Sequence, residues 1–425
     1  MAPLESPEVC VLLTPRQLGG HEVALFGWLG DATRDLGLRP AILAPTAALA
    51  AACADAGLSG FVPGMPARWP RLALLRELLR TPAHRPVLLA PGVLHVDAWL
   101  LAAALMLRRP LWVYVPMAFT AERMGFRAGR LRDRLIAPWL RGVDRWIVID
   151  ERQAALLRGT WRLSAPIHVL ANQAWVTGAS PPLPAPLAEG RLRIAWVGRF
   201  ECRQKGLDWL ATVLRSGVAK ADHWRFQGRG AGATLLHELS RSLGAQRVTV
   251  HAHAPLDDAL AASDLLLLAS RFEGVPLVAL EAIAHGWPVV ATRGCGLDGL
   301  LPATSLYDFG DAAGLSRALD TLRTAAARQA AAAHARECWQ AAGAEQGYRQ
   351  ELQRIVSVLQ RRPALEPTAS TISPSGKSCD DQQASSAART TRRGQGKANE
   401  EARARRSRTL RRSNRRLNRY CTWPR

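Results

Sequence analysis

Two glutamates that stand eight positions apart, Glu273 and Glu281, are the strongest candidates for chemistry in this sequence. They lie in the segment ASRFEGVPLVALEAIA, residues 269–284, which follows the apolar run DLLLL of an expected buried strand. The residues around Glu281 are apolar, so its charge needs a polar partner, and ribose hydroxyl groups would supply one. Glu273 lies just before the expected helix and would border the same cleft, although a carboxylate at a helix start is as often a simple cap.

The start of the helix after Glu273 is expected to bind an anion. Pro276 suits the first turn of a helix, where its missing N–H costs nothing. The free N–H groups of Val275, Leu277 and Val278 would then face the cleft, and the helix dipole would strengthen their attraction for an anion.

Two cations follow another expected strand, in the segment VGRFECRQKGL, residues 197–207. The strand is expected to end at Gly198 and a helix to begin near Lys205, which places Arg199 at the carboxyl end of the strand. Arg offers a bidentate fork and Lys a point charge, and the two together suit a diphosphate. The alternative is that the surface loops of a basic protein carry Arg and Lys without any such role.

A glycine pair marks a third segment, LLTPRQLGGHE, residues 12–22, where a strand is again followed by a helix. Gly19 and Gly20 would allow the backbone to approach a ligand closely, although a plain turn is the simpler explanation of a lone glycine pair. The stretch GRGAG, residues 228–232, also follows a strand, but it lacks the spacing of a dinucleotide fingerprint and the lysine of a phosphate-binding loop.

Short apolar runs that alternate with helical stretches must position these segments. The runs are EVCVLL, PAILA, GFV, PVLLA, LWVYV, RWIVI and IHVL, then LRIAWVG, HWRFQG, RVTVHA, DLLLLAS and WPVVAT. This alternation predicts two α/β domains with parallel sheets that face each other across a cleft, with ligands beyond the carboxyl ends of the strands. The expected division is an N-terminal Rossmann-like domain at 1–171, a Pro-rich linker at 172–190, a C-terminal Rossmann-like domain with closing helices at 191–362 and a tail at 363–425.

The tail differs in kind from the rest of the chain. It is rich in Ser, Thr, Gln and Arg and nearly lacks large apolar residues, so we expect it to be disordered. It carries 15 Lys and Arg against 5 Asp and Glu, which is about half of the formal net charge of +21. A basic protein suits a nucleotide diphosphate, a nucleic acid or an anionic membrane, and charge alone does not choose among them.

No pattern in the sequence predicts export, a membrane span or a structural metal. Glu5 and Glu8 stand where a secretory signal needs positive charge. The longest apolar stretch, residues 93–107, contains His95 and Asp97 and is too short to cross a bilayer. The seven cysteines are scattered, without a pair at zinc-ligand spacing, so we expect free thiols, no metal and a cytoplasmic location.

Taken together, these segments resemble the retaining glycosyltransferases of family four, a large group with the GT-B fold. The resemblance covers most of the chain before the tail and is most specific in the C-terminal half. The family pattern of two glutamates separated by seven residues is met by Glu273 and Glu281. The family's Gly-Arg followed by Lys-Gly is met by Gly198–Arg199 and Lys205–Gly206, and its asparagine at the edge of the linker is met by Asn172.

This resemblance implies transfer of a sugar from a nucleotide diphosphate donor, with retention at the anomeric carbon and usually without a metal. It implies that Arg199, Lys205 and the helix start at 275–277 stabilise the leaving diphosphate, where charge develops in the transition state. Glu281 would hold the ribose and Glu273 would face the donor sugar. No cofactor is expected beyond the nucleotide sugar itself.

The N-terminal half departs from the family pattern at one position. Many members place a histidine just after the fifth strand, near the sugar, whereas here the run LWVYVPMAF offers Pro116 and Met117. His95 is the nearest candidate to replace it and is taken as a candidate catalytic residue. The alternative is a core histidine, which is the more common role of a lone His at the edge of an apolar helix.

The segment Met117 to Arg141 bears on the acceptor. It combines six arginines with Met, Phe, Leu, Ile and Trp, a composition typical of helices that lie on anionic membranes. An ordinary solvated helix face explains it as well. If it contacts the inner face of a membrane, the acceptor is expected to be a lipid-linked or envelope glycan, as in polysaccharide biosynthesis.

Three other functions remain open from the sequence. A different reaction on the same fold, such as sugar epimerisation, is disfavoured by the paired glutamates. A degenerate partner subunit that binds sugar nucleotide without turnover is suggested by the missing histidine. A nucleic-acid-binding protein would use the basic tail, which offers only Tyr420 and Trp423 for stacking and no recognisable module. Deletion of residues 363–425 would separate the last of these from an enzyme, which should keep its turnover.

Overall fold

The structure of the protein is a computed structural model that describes residues 7–361, except 62–69, 175–179, 182–189, 220 and 343. The predicted tail at 363–425 and most of the predicted linker at 172–190 therefore lie outside the described residues.

The N-terminal half is built on one parallel sheet. Its seven strands in the described part of the chain run in the order β3-β2-β1-β4-β5-β6-β7. The strands are β1 Val9–Leu13, β2 Pro40–Leu43, β3 Gly60–Phe61, β4 Val87–Ala90, β5 Leu111–Tyr114, β6 Arg145–Val148 and β7 Ile167–Val169. The helices between them are α1 Gly20–Leu36, α2 Ala47–Asp55, α3 Pro70–Arg80, α4 Ala98–Met106, α5 Gly129–Arg141 and α6 Glu151–Thr160.

The C-terminal half repeats this architecture. Its sheet runs in the order β10-β9-β8-β11-β12-β13, and all the pairings are parallel. The strands are β8 Arg193–Arg199, β9 His223–Arg229, β10 Val248–His251, β11 Leu265–Leu268, β12 Val289–Thr292 and β13 Leu306–Tyr307. The helices are α7 Cys202–Lys205, α8 Leu207–Arg215, α9 Ala233–Leu243, α10 Leu256–Ala261, α11 Leu277–Ala284, α12 Ala312–Asp320, α13 Ala325–Ala341 and α14 Ala344–Gln360, with 3-10 helices at Arg293–Cys295 and Ala303–Ser305.

Burial on both faces explains why the central strands read as continuous apolar runs. All four leucines of β11 are buried, as are all four residues of β4 and of β12. Helices on both sides of a parallel sheet exclude water from both of its faces. Apolar residues at every position of a strand, and not only at alternate positions, therefore stabilise the fold. The core of the molecule therefore lies in the two sheets and the helix faces packed on them.

In each sheet the order of the strands reverses at one point, and the candidate site lies near these points. The strand order reverses between β1 and β4 in the first sheet and between β8 and β11 in the second. In open parallel sheets, ligands bind beyond the carboxyl ends of the strands at such a reversal. The segments that follow β1, β8 and β11 are the three that carry the candidate residues.

The last helix, α14, packs against the N-terminal half. Its residues Tyr348, Leu352 and Ile355 are buried in the same apolar cluster as α1 of the N-terminal half. The Tyr348 hydroxyl donates to Asp31 at 2.6 Å, and Glu351 contacts His168 at 2.6 Å. The chain thus returns to its first domain after it has completed the second.

Among the described residues, no helix combines the length and the apolar character needed to span a bilayer.

Candidate functional site

The carboxylate of Glu273 is the centre of a buried polar cluster at the carboxyl end of β11. It forms an ion pair with the Lys205 ammonium group. It also accepts hydrogen bonds from Gln204 Nε2 and from Ser270 Oγ, each at 3.0 Å. The Glu273 residue is only 6% exposed. The structure therefore brings together Glu273 and Lys205, which the sequence assigned to two separate segments, and holds the carboxylate in one orientation.

Lys205 reaches this cluster because it ends a short helix. The sequence predicted a helix start near Lys205, but Lys205 is the last residue of α7, and α8 begins two residues later. Glu201 caps α7 by accepting from the N–H groups of its second and third residues, and Gly206 ends it with a φ of 69°. A side chain at Gly206 would clash with the Ala269 carbonyl, so only glycine allows this turn to sit on the end of β11.

Arg271 fixes the loop after β11 to the same turn. Its guanidinium donates to both carboxylate oxygens of Asp208, at 2.8 and 2.7 Å, and to the Cys202 carbonyl at 2.6 Å. Its own N–H donates to the Gln204 carbonyl at 2.8 Å. A bidentate pair of this kind restrains direction as well as distance. The loop that carries Glu273 is thus held rigidly to α7 and α8.

The helix α11 begins one residue later than the sequence predicted. Pro276 is the N-cap in extended conformation, not a member of the first turn, and the helix begins at Leu277. The Pro276 carbonyl accepts from the N–H groups of Ala279 and Leu280, which leaves those of Leu277 and Val278 without an acceptor inside the helix.

The approach to this helix start is fixed from the linker side. Asn172 Nδ2 donates to the Val275 carbonyl at 2.8 Å, so the asparagine at the linker edge orients the loop just before α11. The three sequence-predicted residues Val275, Pro276 and Leu277 therefore lie together at an N-terminus whose dipole would favour an anion.

The glycine pair of the N-terminal half lies opposite α11. Gly19 caps α1, and Gly20 is its first residue. A Cβ atom at Gly20 would lie 4.0 Å from Leu277 Cδ1, so the starts of α1 and α11 approach each other across the cleft. The Gly19 N–H donates to the buried Glu22 carboxylate at 2.7 Å.

Glu22 has a strongly displaced pKa. Burial raises the pKa of Glu22 to about 7, while the bonds to its backbone neighbours and the charge of Arg199 pull the pKa down. The charge of Arg199, which is exposed at the end of β8, therefore acts on Glu22 at the start of α1. Glu22 in turn holds Gly19, and Gly20 lies beside Leu277.

The native protein is expected to lose folding stability at high pH because Glu22 ionises, and Glu22→Gln is expected to prevent this loss. Below the pKa of the unfolded chain Glu22 is protonated in both states, but between that pKa and about 7 only the folded protein keeps the proton. The stabilisation is therefore lost as the pH rises through about 7, by about 3 kcal/mol at pH 8. Gln stays neutral and keeps an oxygen for the Gly19 N–H. Urea unfolding of both proteins between pH 5 and pH 8 measures the difference, and parallel curves would contradict it.

Glu281 lies further along α11, toward a different group of side chains. It is half-buried, and its pKa is raised by burial and then by the neighbouring Asp257 carboxylate. Asp257 in turn contacts His285 Nε2 at 3.2 Å. The sequence indicated Glu281 alone, so Asp257 and His285 were missed. Because they lie on α10 and beyond the end of α11, no local pattern connected them with Glu281.

The sequence left two roles open for His95, a catalytic residue or a core histidine, and the structure buries its side chain. A contact of His95 with the donor sugar stays a prediction. The His95 side chain is 1% exposed, and Nε2 lies 2.7 Å from Asp133 Oδ1. Burial lowers the pKa of His95, so its ring favours the neutral form. Asp133 also accepts from the N–H groups of Ala121 and Glu122, at 2.7 and 3.2 Å. His95 therefore supports the loop after β5 through Asp133 and is a positioning residue in this structure.

The chain after β5 makes a close contact with the C-terminal half. A Cβ atom at Gly274 would lie 2.5 Å from the Pro116 carbonyl oxygen, so Gly274 is required for this approach. Met117 Sδ accepts from Gln204 Nε2 at 3.5 Å, the same nitrogen that binds Glu273. The position at which related enzymes are expected to hold a histidine is thus adjacent to Glu273 and filled by Met117.

Similarity to known proteins agrees with this geometry. Residues 191–324 match the family model described as glycosyl transferases group 1. A protein of Klebsiella pneumoniae, described as an uncharacterized 41.2 kDa protein in the cps region, is 31% identical over 106 residues, which is 24% of this chain and 28% of that protein.

Two solved structures share the fold over most of the chain. HepE of Anabaena in complex with UDP-glucose aligns with a TM-score of 0.64 at 17% identity, over 82% of this chain and 99% of HepE. Sucrose-phosphate synthase from Thermosynechococcus elongatus aligns with a TM-score of 0.60 at 16% identity, over 83% of this chain and 98% of that one.

The two parallel sheets and their crossover helices are therefore the fold of GT-B glycosyltransferases, and the sequence prediction of this α/β fold is confirmed. The segment similar to glycosyl transferases group 1 contains Arg199, Lys205, Glu273 and Glu281. The roles of these residues stay predictions.

Proposed function

We propose that the protein is a retaining hexosyltransferase of family four that transfers a sugar from a nucleotide diphosphate donor to a glycan or lipid-linked acceptor. The proposal rests on one arrangement, in which the Glu273 carboxylate is held by Lys205 beside the open N-terminus of α11. A carboxylate, a cation and free backbone N–H groups at the reversal of a parallel sheet suit a nucleotide sugar. The complex of HepE with UDP-glucose supports such a donor.

The leaving diphosphate would lie between the two halves. Arg199, Lys205 and the N–H groups at Leu277 would neutralise the charge that develops as the bond to the sugar breaks. The backbone at Gly19 and Gly20 would approach the same group from the N-terminal half, beside the Leu277 side chain. All these donors belong to the protein itself, so the proposal needs no metal ion or other cofactor.

The two glutamates would have different roles. Glu281 would accept from the ribose hydroxyl groups, and its raised pKa is consistent with a half-buried carboxylate beside Asp257. Glu273 would contact the donor sugar in a fixed orientation, because Lys205, Gln204 and Ser270 hold it. His95 would act only through Asp133, by holding the loop that contacts Gly274.

The stereochemistry of the product tests this function. With UDP-glucose or another α-linked nucleotide sugar, NMR spectroscopy of the anomeric proton is expected to show an α-linked product at early times. A β-linked product would contradict retention. Binding of the donor without any turnover would instead favour a degenerate partner subunit, the second candidate, which the presence of Met117 beside Glu273 supports.

One face of α5 supports contact with an anionic membrane. Leu131, Leu135 and Trp139 follow each other at intervals of four, so they lie on one side of the helix, and they are 56, 64 and 38% exposed. Arg130 and Arg134 alternate with them. Exposed apolar side chains between arginines are the pattern of helices that lie in the lipid interface. We propose that the enzyme works at the inner face of a membrane, where a lipid-linked acceptor is concentrated.

Replacing Leu131, Leu135 and Trp139 together by Gln is expected to weaken binding to vesicles that contain anionic lipid by about tenfold or more, because their apolar area no longer leaves water. Cosedimentation with vesicles measures this. Phe61→Gln removes an exposed apolar side chain on the edge strand β3 and serves as the matched control. Equal binding of all three proteins, or equal binding to neutral vesicles, would contradict the membrane contact.

A further inference from the structure

A cavity of about 430 Å³ lies beside the loop that carries Glu273. It is formed by α6 and the loop after β5 on one side and by the 3-10 helix after β12 on the other. Its lining includes Phe119, Arg123, Arg152, Leu156, Arg293 and Gly294. None of the residues predicted to bind the diphosphate is part of the described lining, so this cavity is distinct from that site.

The cavity is positively charged. Three of its lining side chains are arginines, and the described lining contains no carboxylate. Arg152 donates to Asp150 at 2.7 Å, while Arg293 lies at the longer distances of 3.7 and 3.8 Å from two acidic side chains. Arg123 lies over the Phe119 ring at 4.5 Å. Burial and then the charge of Arg152 lower the pKa of Arg123, as expected where like charges lie close together in a partly buried place.

The cavity adjoins the place where the sugar is expected to react. The Gly294 carbonyl, on the cavity wall, accepts from the N–H of Glu273 at 3.0 Å. The Phe119 ring meets Phe272 edge-on at 5.7 Å between centroids. Glu273 therefore stands between the cavity and Lys205. A molecule in the cavity would therefore lie beside Glu273.

The arginines belong to elements that are held in place. Asp133 binds the loop with Arg123 through the N–H groups of Ala121 and Glu122. Arg152 also reaches across to the Gly274 carbonyl at 3.4 Å. A site built on fixed elements loses less conformational entropy on binding than one built on free side chains.

We propose that this cavity binds a phosphate group of the acceptor, and this inference rests on the proposed transferase function. Three guanidinium forks suit the several oxygens of a tetrahedral phosphate better than the two of a planar carboxylate. Phe119 and Leu156 would cover apolar parts of the same molecule. The sugar would be transferred to a hydroxyl group near that phosphate.

Calorimetry on the full chain, saturated with the nucleoside diphosphate that it binds, tests the inference. The probes are glycerol 3-phosphate, farnesyl phosphate, their neutral alcohols and glucuronate. We expect a phosphate probe to bind, and Arg123→Gln or Arg293→Gln to weaken it by about tenfold or more while the affinity for the nucleotide stays unchanged. Arg241→Gln, on α9 and outside the cavity lining, is the matched charge control.

The outcomes distinguish the source of the phosphate, and they distinguish failure of the phosphate site from failure of the proposed function. Binding of farnesyl phosphate alone indicates that the apolar chain is recognised together with the phosphate, as in a lipid-linked acceptor, and binding of glycerol 3-phosphate as well indicates that the phosphate alone suffices. Binding of glucuronate alone, phosphate binding that the variants do not change, displacement by the nucleotide, or no second binding event would each overturn the inference. Absence of nucleotide binding at the first step would instead count against the proposed function.

Discussion

Lys205→Ala is expected to weaken the binding of a nucleoside diphosphate by about 10- to 100-fold, because it removes one charge-assisted contact to the phosphates. Calorimetric titration measures this loss. Arg199→Ala should give a loss of similar size, since Arg199 is predicted to contact the same diphosphate. Unchanged affinity in both variants would remove the assignment of the donor site.

A second effect of Lys205→Ala follows from its ion pair. The variant leaves the buried Glu273 carboxylate without its cation, which is expected to lower the free energy of unfolding by about 3 kcal/mol. The double variant Lys205→Ala with Glu273→Gln removes both charges. It should regain most of this stability but none of the nucleotide affinity, so it separates a folding defect from a binding defect. Recovery of affinity in the double variant would show that Lys205 acts only on folding.

Glu273→Gln is expected to lower kcat by about 100-fold while the affinity for the nucleotide is kept, because the carboxylate is predicted to contact the reacting sugar and not the diphosphate. The amide oxygen can still accept from Ser270 Oγ and Lys205 Nζ, whereas the NH2 group takes the place of the oxygen that accepts from Gln204 Nε2, so that one hydrogen bond is lost. Steady-state kinetics with the donor, after circular dichroism has confirmed folding, measures the change.

Glu281→Ala is the matched comparison for Glu273→Gln. Glu281 is predicted to hold the ribose equally in the ground state and in the transition state, so its loss should chiefly raise the donor KM and affect kcat less. The same loss in the same parameter for both variants would refute the division of roles. No loss in either variant would mean that the site lies elsewhere.

The sequence was sufficient to predict the two parallel sheets, because the signal for a buried strand is local. Four consecutive leucines in β11, followed by a loop and a helix, leave little choice of element. The helix start predicted near Lys205 corresponds to α8, which begins at Leu207, but the short helix α7 was missed, because it depends on the Glu201 cap and on a left-handed Gly206. Glycine is required at position 206 because a Cβ atom there would clash with the Ala269 carbonyl. No local sequence pattern reveals this contact.

The partners of the predicted site residues were harder to find, because they come from distant parts of the chain. Gln204 and Ser270 hold Glu273 from different segments, and Glu22 gains its unusual pKa from burial in the folded protein. For His95 the sequence left a catalytic and a core role open, and its burial against Asp133 is visible only in the folded protein. Burial and contacts between residues that are distant in the sequence are properties of the fold. A single sequence contains only indirect evidence of them.

The central claim is that the cleft around Lys205 and Glu273 binds a nucleoside diphosphate, and thermal unfolding with UDP, GDP and ADP tests it most directly. A ligand that binds only the folded state stabilises it by about 2.7 kcal/mol at 100 times its Kd. One of the three nucleotides is expected to raise the Tm of the full chain by several degrees, and Arg199→Ala and Lys205→Ala are each expected to reduce this shift to about half or less. A Tm unchanged by all three nucleotides, or a shift that neither variant reduces, would contradict this binding site.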